Sequence, residues 1–253
     1  MLQILRSRAP KPNQDFKEVP RHAGEDNVAW LQRTAIKGGV RILLVGGRSH
    51  EAFRVRVAQA HARDDMTPSH WSGAALLVDP GAELGQATTQ LLHVPLEPRA
   101  GLSRRLGSNG VEAVDVEVFR SARLYPNVAA LRIEADPTLV KDMVAAFKGQ
   151  RSSTDAIELA IAWLAFVCGV GRVGNPLLEG IGVPSAVFIE SVLGAVGFEL
   201  TPSLPNRSSC PEGIWQAVRW WHAFHAQADP TTPGAAITGA WCVDEKLGRP
   251  PEA

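Results

Sequence analysis

Apolar positions fall into two kinds of segment along the chain. The run VRILLVGG, from Val40 to Gly47, is apolar apart from Arg41 and is stopped by two glycines, which predicts a buried strand running into a turn. Ser49 stands where it can cap the next segment, HEAFRVRVAQAHARDD. There Phe53, Val57 and Ala60 form one helical face, and Arg54, Arg56 and Arg63 fall mostly elsewhere. Four short segments of small and branched residues follow: GAALLVD (73–79), TTQLLHVPL (88–96), VEAVDVEVF (111–119) and VAALRIE (128–134). The third sets Val111, Ala113, Val116 and Val118 against Glu112, Asp115 and Glu117, the alternation of a half-exposed antiparallel strand.

Beyond Pro137 the spacing becomes helical, in TLVKDMVAAFKGQ, STDAIELAIAWLAFVCG, PSAVFIESVLGAVGF and CPEGIWQAVRWWHAFHAQ. An early helix, then strands, then helices is the order of an α+β fold, here an antiparallel sheet of about five strands packed on helices. Residues 1–28 are polar and carry prolines without a burying period, so they read as a flexible arm. The domain occupies 29–228, and 229–253, with DPTTPG and GRPPEA, reads as a loosely packed tail.

Composition removes several classes of function. Lys plus Arg and Asp plus Glu number 26 each in 253 residues, so no net positive field draws in nucleic acid. Three widely spaced cysteines, Cys168, Cys210 and Cys242, form neither a disulfide framework nor a thiolate zinc site, and they fit a cytoplasmic setting. The first residues hold too few apolar positions for a secretion signal, and no run reaches the roughly 18 apolar residues of a membrane span. LLVGGRSHEAF lacks both GxGxxG and a GK[ST] ending, so it reads as a plain strand-to-helix turn. His50 with His61, and His222 with His225, lack a carboxylate ligand motif. Neither a metal nor a cofactor is expected.

Two stretches carry the chemistry: TPSHWSGAALLVD (67–79) and VPSAVFIESVLGAVGFELTP (183–202). Together they resemble the permuted papain-like families, the NlpC-type and YiiX-type hydrolases and their lecithin-retinol-acyltransferase-like relatives. In those families a histidine opens a strand and a cysteine further along opens a buried helix followed by an LTP-like ending. The resemblance covers roughly Val40 to His225, including GVEAVDVEVFRSARLYPNVAALRI (110–133), and implies a circularly permuted papain-like domain. It places Ser185 at the cysteine position. The family's histidine falls at Gly73, with His70 three residues earlier on the approach turn as the other candidate base, and His93 or Gln90 is implied as the group that orients it.

The substitution at 185 matters chemically. A thiol at a helix start has its pKa lowered by the exposed amides, and an imidazole completes the ion pair that attacks a carbonyl. A serine hydroxyl is too weak an acid for that pair. The expected function is therefore a degenerate papain-like domain that binds or scaffolds a peptide, acyl or protein ligand through the former cleft. The alternative is an active amide or ester hydrolase with Ser185 as nucleophile and His70 as base. Cys210, just before Pro211, reads as a helix cap rather than a second nucleophile, and Cys168 as core. The aromatic helix with Trp215, Trp220 and Trp221 is a candidate protein-partner surface.

Overall fold

The computed structural model describes residues 16–96, 108–150, 155–202, 204–227 and 237–245, with the side chains of 225–227 excepted. It is an α+β fold built on one seven-stranded sheet with six α-helices. The strands are β1 (Phe16–Glu18), β2 (Val40–Gly46), β3 (Gly73–Leu77), β4 (Gln90–His93), β5 (Glu112–Asp115), β6 (Asn127–Ile133) and β7 (Thr238–Cys242). The helices are α1 (Asn27–Thr34), α2 (His50–Ala58), α3 (Pro137–Gly149), α4 (Ala156–Val167), α5 (Pro184–Ala195) and α6 (Pro211–Gln227). Across the sheet the order is β1-β7-β6-β2-β3-β4-β5.

The sheet departs from the expected five antiparallel strands at one edge. β7 pairs antiparallel with β6 and parallel with β1, so the sheet is mixed and has two more strands. Both extra strands lie in segments that pattern alone assigns to the arm and the tail. Phe16 pairs with Gly239, and Phe16 packs its ring on Trp241 and Trp215. Strands this short gain their stability from each other and from these rings, so neither announces itself locally. Residues 1–15 of the expected arm and 229–236 and 246–253 of the expected tail lie outside the described residues.

β2 is buried along its whole length and is the sheet's centre, paired with β3 on one side and β6 on the other. Its alternate residues feed two cores. Ile42 and Leu44 face the helical layer, with Trp163, Phe188 and Val218. Leu43 and Val45 face the opposite side, where Trp30 and Leu31 of α1 and Phe119 cover the sheet. Helix starts are capped as the sequence allows: Ser49 accepts from the Ala52 amide at α2, Asp136 from Thr138 at α3 and Asp155 from Ile157 at α4. No helix of the described residues is long and apolar enough to cross a membrane.

One expected helical face is rotated. On α2, Val57 is exposed, whereas Arg56 is buried and donates through Nε to the Ser69 carbonyl at 2.6 Å. A buried partner for the guanidinium outweighs the burial of one valine. VEAVDVEVF is also only half strand: after Asp115 the chain turns into a short 3-10 segment, Val116–Phe119, which swings Phe119 into the core.

Candidate functional site

The start of α5 is held from both sides. Gly182 donates its amide to the Arg207 carbonyl at 2.7 Å and accepts at its own carbonyl from the Trp163 indole at 2.7 Å, and the Val183 amide reaches the Ser209 carbonyl at 2.8 Å. A Cβ at Gly182 would press on the carbonyl oxygens of Arg207 and Ser209, so only glycine passes there. Pro184 at the first helical position then fixes the entry to α5. Ser185 follows, 4% exposed.

Ser185 does not cap its own helix. Its Oγ accepts a hydrogen bond from the Ala74 amide of β3 at 3.2 Å. That amide is free to do so because β3 and β4 share a single bridge, Leu76 with Leu92, and then part. α5 therefore begins where β4 has left β3, and Ser185 takes up a ladder donor that a longer strand pair would have used.

A cavity of about 410 Å³ opens at this parting. The first residues of two helices reach it, Ser49, Glu51 and Ala52 from α2 and Val183, Pro184 and Ser185 from α5. Ser72 just before β3, Gly73 and Ala74 of β3, and His93 of β4 line it as well, together with apolar Val45, Val94 and Leu96 and the rings of Phe119 and Tyr125. Ser72 also clasps the end of β2: its hydroxyl accepts from the Gly47 amide at 3.0 Å, and its amide donates to the Val45 carbonyl at 2.8 Å.

The candidate residues thus separate into two groups. Ser185, Gly73 and His93 share this cavity, whereas His70 does not line it. Three successive carbonyls of the approach turn are each fixed by a side chain: Ser69 by Arg56, His70 by Asn127 Nδ2 at 2.9 Å and Trp71 by Gln59 Nε2 at 2.8 Å. The Ser69 hydroxyl further donates to buried Glu212 at 2.6 Å, tying the turn to α6. His70 is held beside Arg63 and Arg56, and its pKa is pushed down to about 4, first by burial and then by those two cations. Gln90 stands at the other end of β4, where its amide bonds the exposed Asp115 carboxylate.

At Gly73 an added Cβ would meet one atom within 4 Å, Val45 Cγ2 at 3.6 Å, which is ordinary contact. The backbone at this position therefore accommodates a side chain. Of the residues that line the cavity, Ser185, Gly73 and His93 are among those the sequence singles out, and Ser72, Phe119 and Tyr125 are not. The pairing of β2 with β3 brings in Ser72 and the 3-10 turn after β5 brings in Phe119, which meets Tyr125.

The other reactive residues lie elsewhere. Cys210 precedes α6 and accepts from the Gly213 amide at 3.4 Å, and burial pushes its thiol up to about 11, the opposite of an activated nucleophile. Cys168, expected in the core, is exposed at the end of α4, because that helix stops one residue before it. Trp215, expected on a partner surface, is buried against Trp71 at 5.2 Å between ring centroids. Trp221 is half-buried, and only Trp220, with Phe224 stacked on it, projects to solvent. His222 packs on the Phe16 ring, and the His225 side chain lies outside the described residues.

Among the described residues, no group of three or more His, Cys, Asp or Glu converges as a metal site would require. A second, shallower depression of about 840 Å³ lies between Arg21–Asp26 and Glu117–Arg123. Its charges are largely matched within it, since Arg120 pairs with both Asp26 and Glu117. No protein-family model, curated protein or solved structure matches the chain.

Proposed function

We propose that this chain is a ligand-binding domain on a degenerate, permuted papain-like plan, and that its ligand occupies the cavity at the start of α5. The observation that carries the reading is the bond between Ser185 Oγ and the Ala74 amide. A hydroxyl tied to a strand amide, with glycine at the neighbouring position 73 and His70 anchored outside the cavity, has no imidazole from either position to take its proton. The cavity meanwhile has the size and the mainly apolar lining of a small-molecule or side-chain pocket, with a few polar groups to orient what enters. A peptide, acyl or protein segment is the class of ligand that such a cleft accommodates.

The competing hydrolase reading is favoured by one observation, that His93 lines the same cavity as Ser185. Alkylation of Ser185→Cys by iodoacetamide across pH separates the two. Under the binding reading the thiol titrates in or above the ordinary range of about 8.5, and His70→Ala and His93→Ala leave its rate unchanged. Rapid alkylation at neutral pH that His93→Ala or His70→Ala abolishes would establish an ion pair and sink the binding reading.

A further inference from the structure

Strand alternation puts Gly73 on the sheet face opposite the helical layer. Its neighbour Ala74 points into the helical core, while Ala75 and Leu77 point with Val45 into the other. The single contact of an added Cβ at Gly73, with Val45 Cγ2, agrees with that side. Three rings stand on the same face beside it. His93 meets Phe119 edge to face, with centroids 6.0 Å apart and planes at 86°, and Phe119 meets Tyr125 at 5.3 Å and 74°. All three line the cavity with Gly73.

Such a row presents alternating ring faces and edges, and its quadrupoles favour one more ring set against it in offset or edge-on fashion. We propose that the part of the cavity over Gly73 is a subsite for a planar, uncharged aromatic or heteroaromatic ring of the ligand, an inference that rests on the binding reading above. A cation would gain from the ring faces and from Glu51 but would sit at the starts of α2 and α5, where both helix dipoles are positive. An anion would gain from those helix starts but would meet Glu51 in the same cavity. An aliphatic group needs no ring row and would be held by Val45, Val94 and Leu96 alone. A neutral ring is the group that uses the rings and conflicts with neither charge.

Saturation-transfer NMR on the full chain tests this with indole and phenol as ring probes, cyclohexanol as an aliphatic probe of similar size, and tetramethylammonium as a cation. The expected result is binding of indole and phenol in preference to the other two. It should weaken about tenfold in Gly73→Leu, the order that ring contacts supply. Because leucine at 73 could disturb the strand, Gly73→Ala and Phe119→Leu serve as second variants, each expected to weaken the ring probes while circular dichroism stays native. Cyclohexanol binding as tightly as phenol, or ring binding indifferent to all three substitutions, would overturn the ring subsite and leave the binding reading standing. Absence of binding by every probe would overturn the subsite as well. If Ser185→Cys also proved to be an activated thiol, the binding reading would fall separately.

Discussion

The Ala74 amide donates to Ser185 Oγ across 3.2 Å, joining the first turn of α5 to the strand that β4 has just left. Both residues are buried, so water replaces neither partner easily. The Ser185 hydroxyl thus has a structural duty.

Ser185→Ala should therefore lower stability. Loss of the acceptor leaves the Ala74 amide buried without its partner, a cost of about 1 to 2 kcal/mol. Urea unfolding would read this as a lower midpoint at unchanged slope. A midpoint equal to the wild type would show that the bond contributes nothing.

Two glycines at neighbouring strand ends should respond in opposite ways. A Cβ at Gly46 would run into the His70 carbonyl oxygen and stand 2.8 Å from Asn127 Cβ, whereas one at Gly73 meets only Val45 Cγ2 at 3.6 Å. Gly46→Ala is expected to cost about 3 kcal/mol, because the carbonyl it strikes is held by Asn127 and cannot withdraw. Gly73→Ala should stay within about 1 kcal/mol of the wild type. Thermal melts of the two variants side by side check the contrast, and equal losses would mean the approach turn is more pliable than its hydrogen bonds indicate.

Two titrating groups, Glu190 buried and His70 half-buried, should oppose each other across mildly acid pH. Burial raises the Glu190 carboxyl from 4.5 to about 7 despite the Thr201 hydroxyl bonded to it, so its contribution is full below 4.5 and is lost as pH rises toward 7. Burial, then Arg63 and Arg56, lowers His70 from 6.5 to about 4, so its contribution is full above 6.5 and is lost as pH falls toward 4. Each is worth about 3 kcal/mol at full extent. The sum is a flat stability profile between 4.5 and 6.5. In Glu190→Gln stability should climb with pH through that window, and in His70→Gln it should fall. Urea midpoints at three pH values decide it, and flat profiles in both variants would refute the assignment.

The parts of this fold that the sequence discloses are those whose cause is local. β2 through β6 and α2 through α6 follow from runs, alternation and a cap such as Ser49, although β4 and β5 are shorter than the expected segments. What escapes is set by distant partners. Arg56 is buried because the Ser69 carbonyl lies in reach, and no helical period signals that. β1 and β7 become strands because they meet each other and β6. At the cavity, Ser185 stands out from its helix start, whereas Gly73 is singled out only by the family resemblance. That His70 is excluded depends on three side chains, Arg56, Asn127 and Gln59, which come from α2, β6 and the residue just after α2.

The parallel edge formed by β1 and β7 also bears on how the molecule folds. Phe16 and Gly239 are register partners although nearly the whole described chain separates them, and among the described residues no other strand pair closes so long a loop. Closing it early would cost more chain entropy than any other step, so the nucleus should form around β2, β3 and β6, with this edge docking last. Mutations at Phe16 or Trp241 would then speed unfolding and leave the refolding rate nearly untouched.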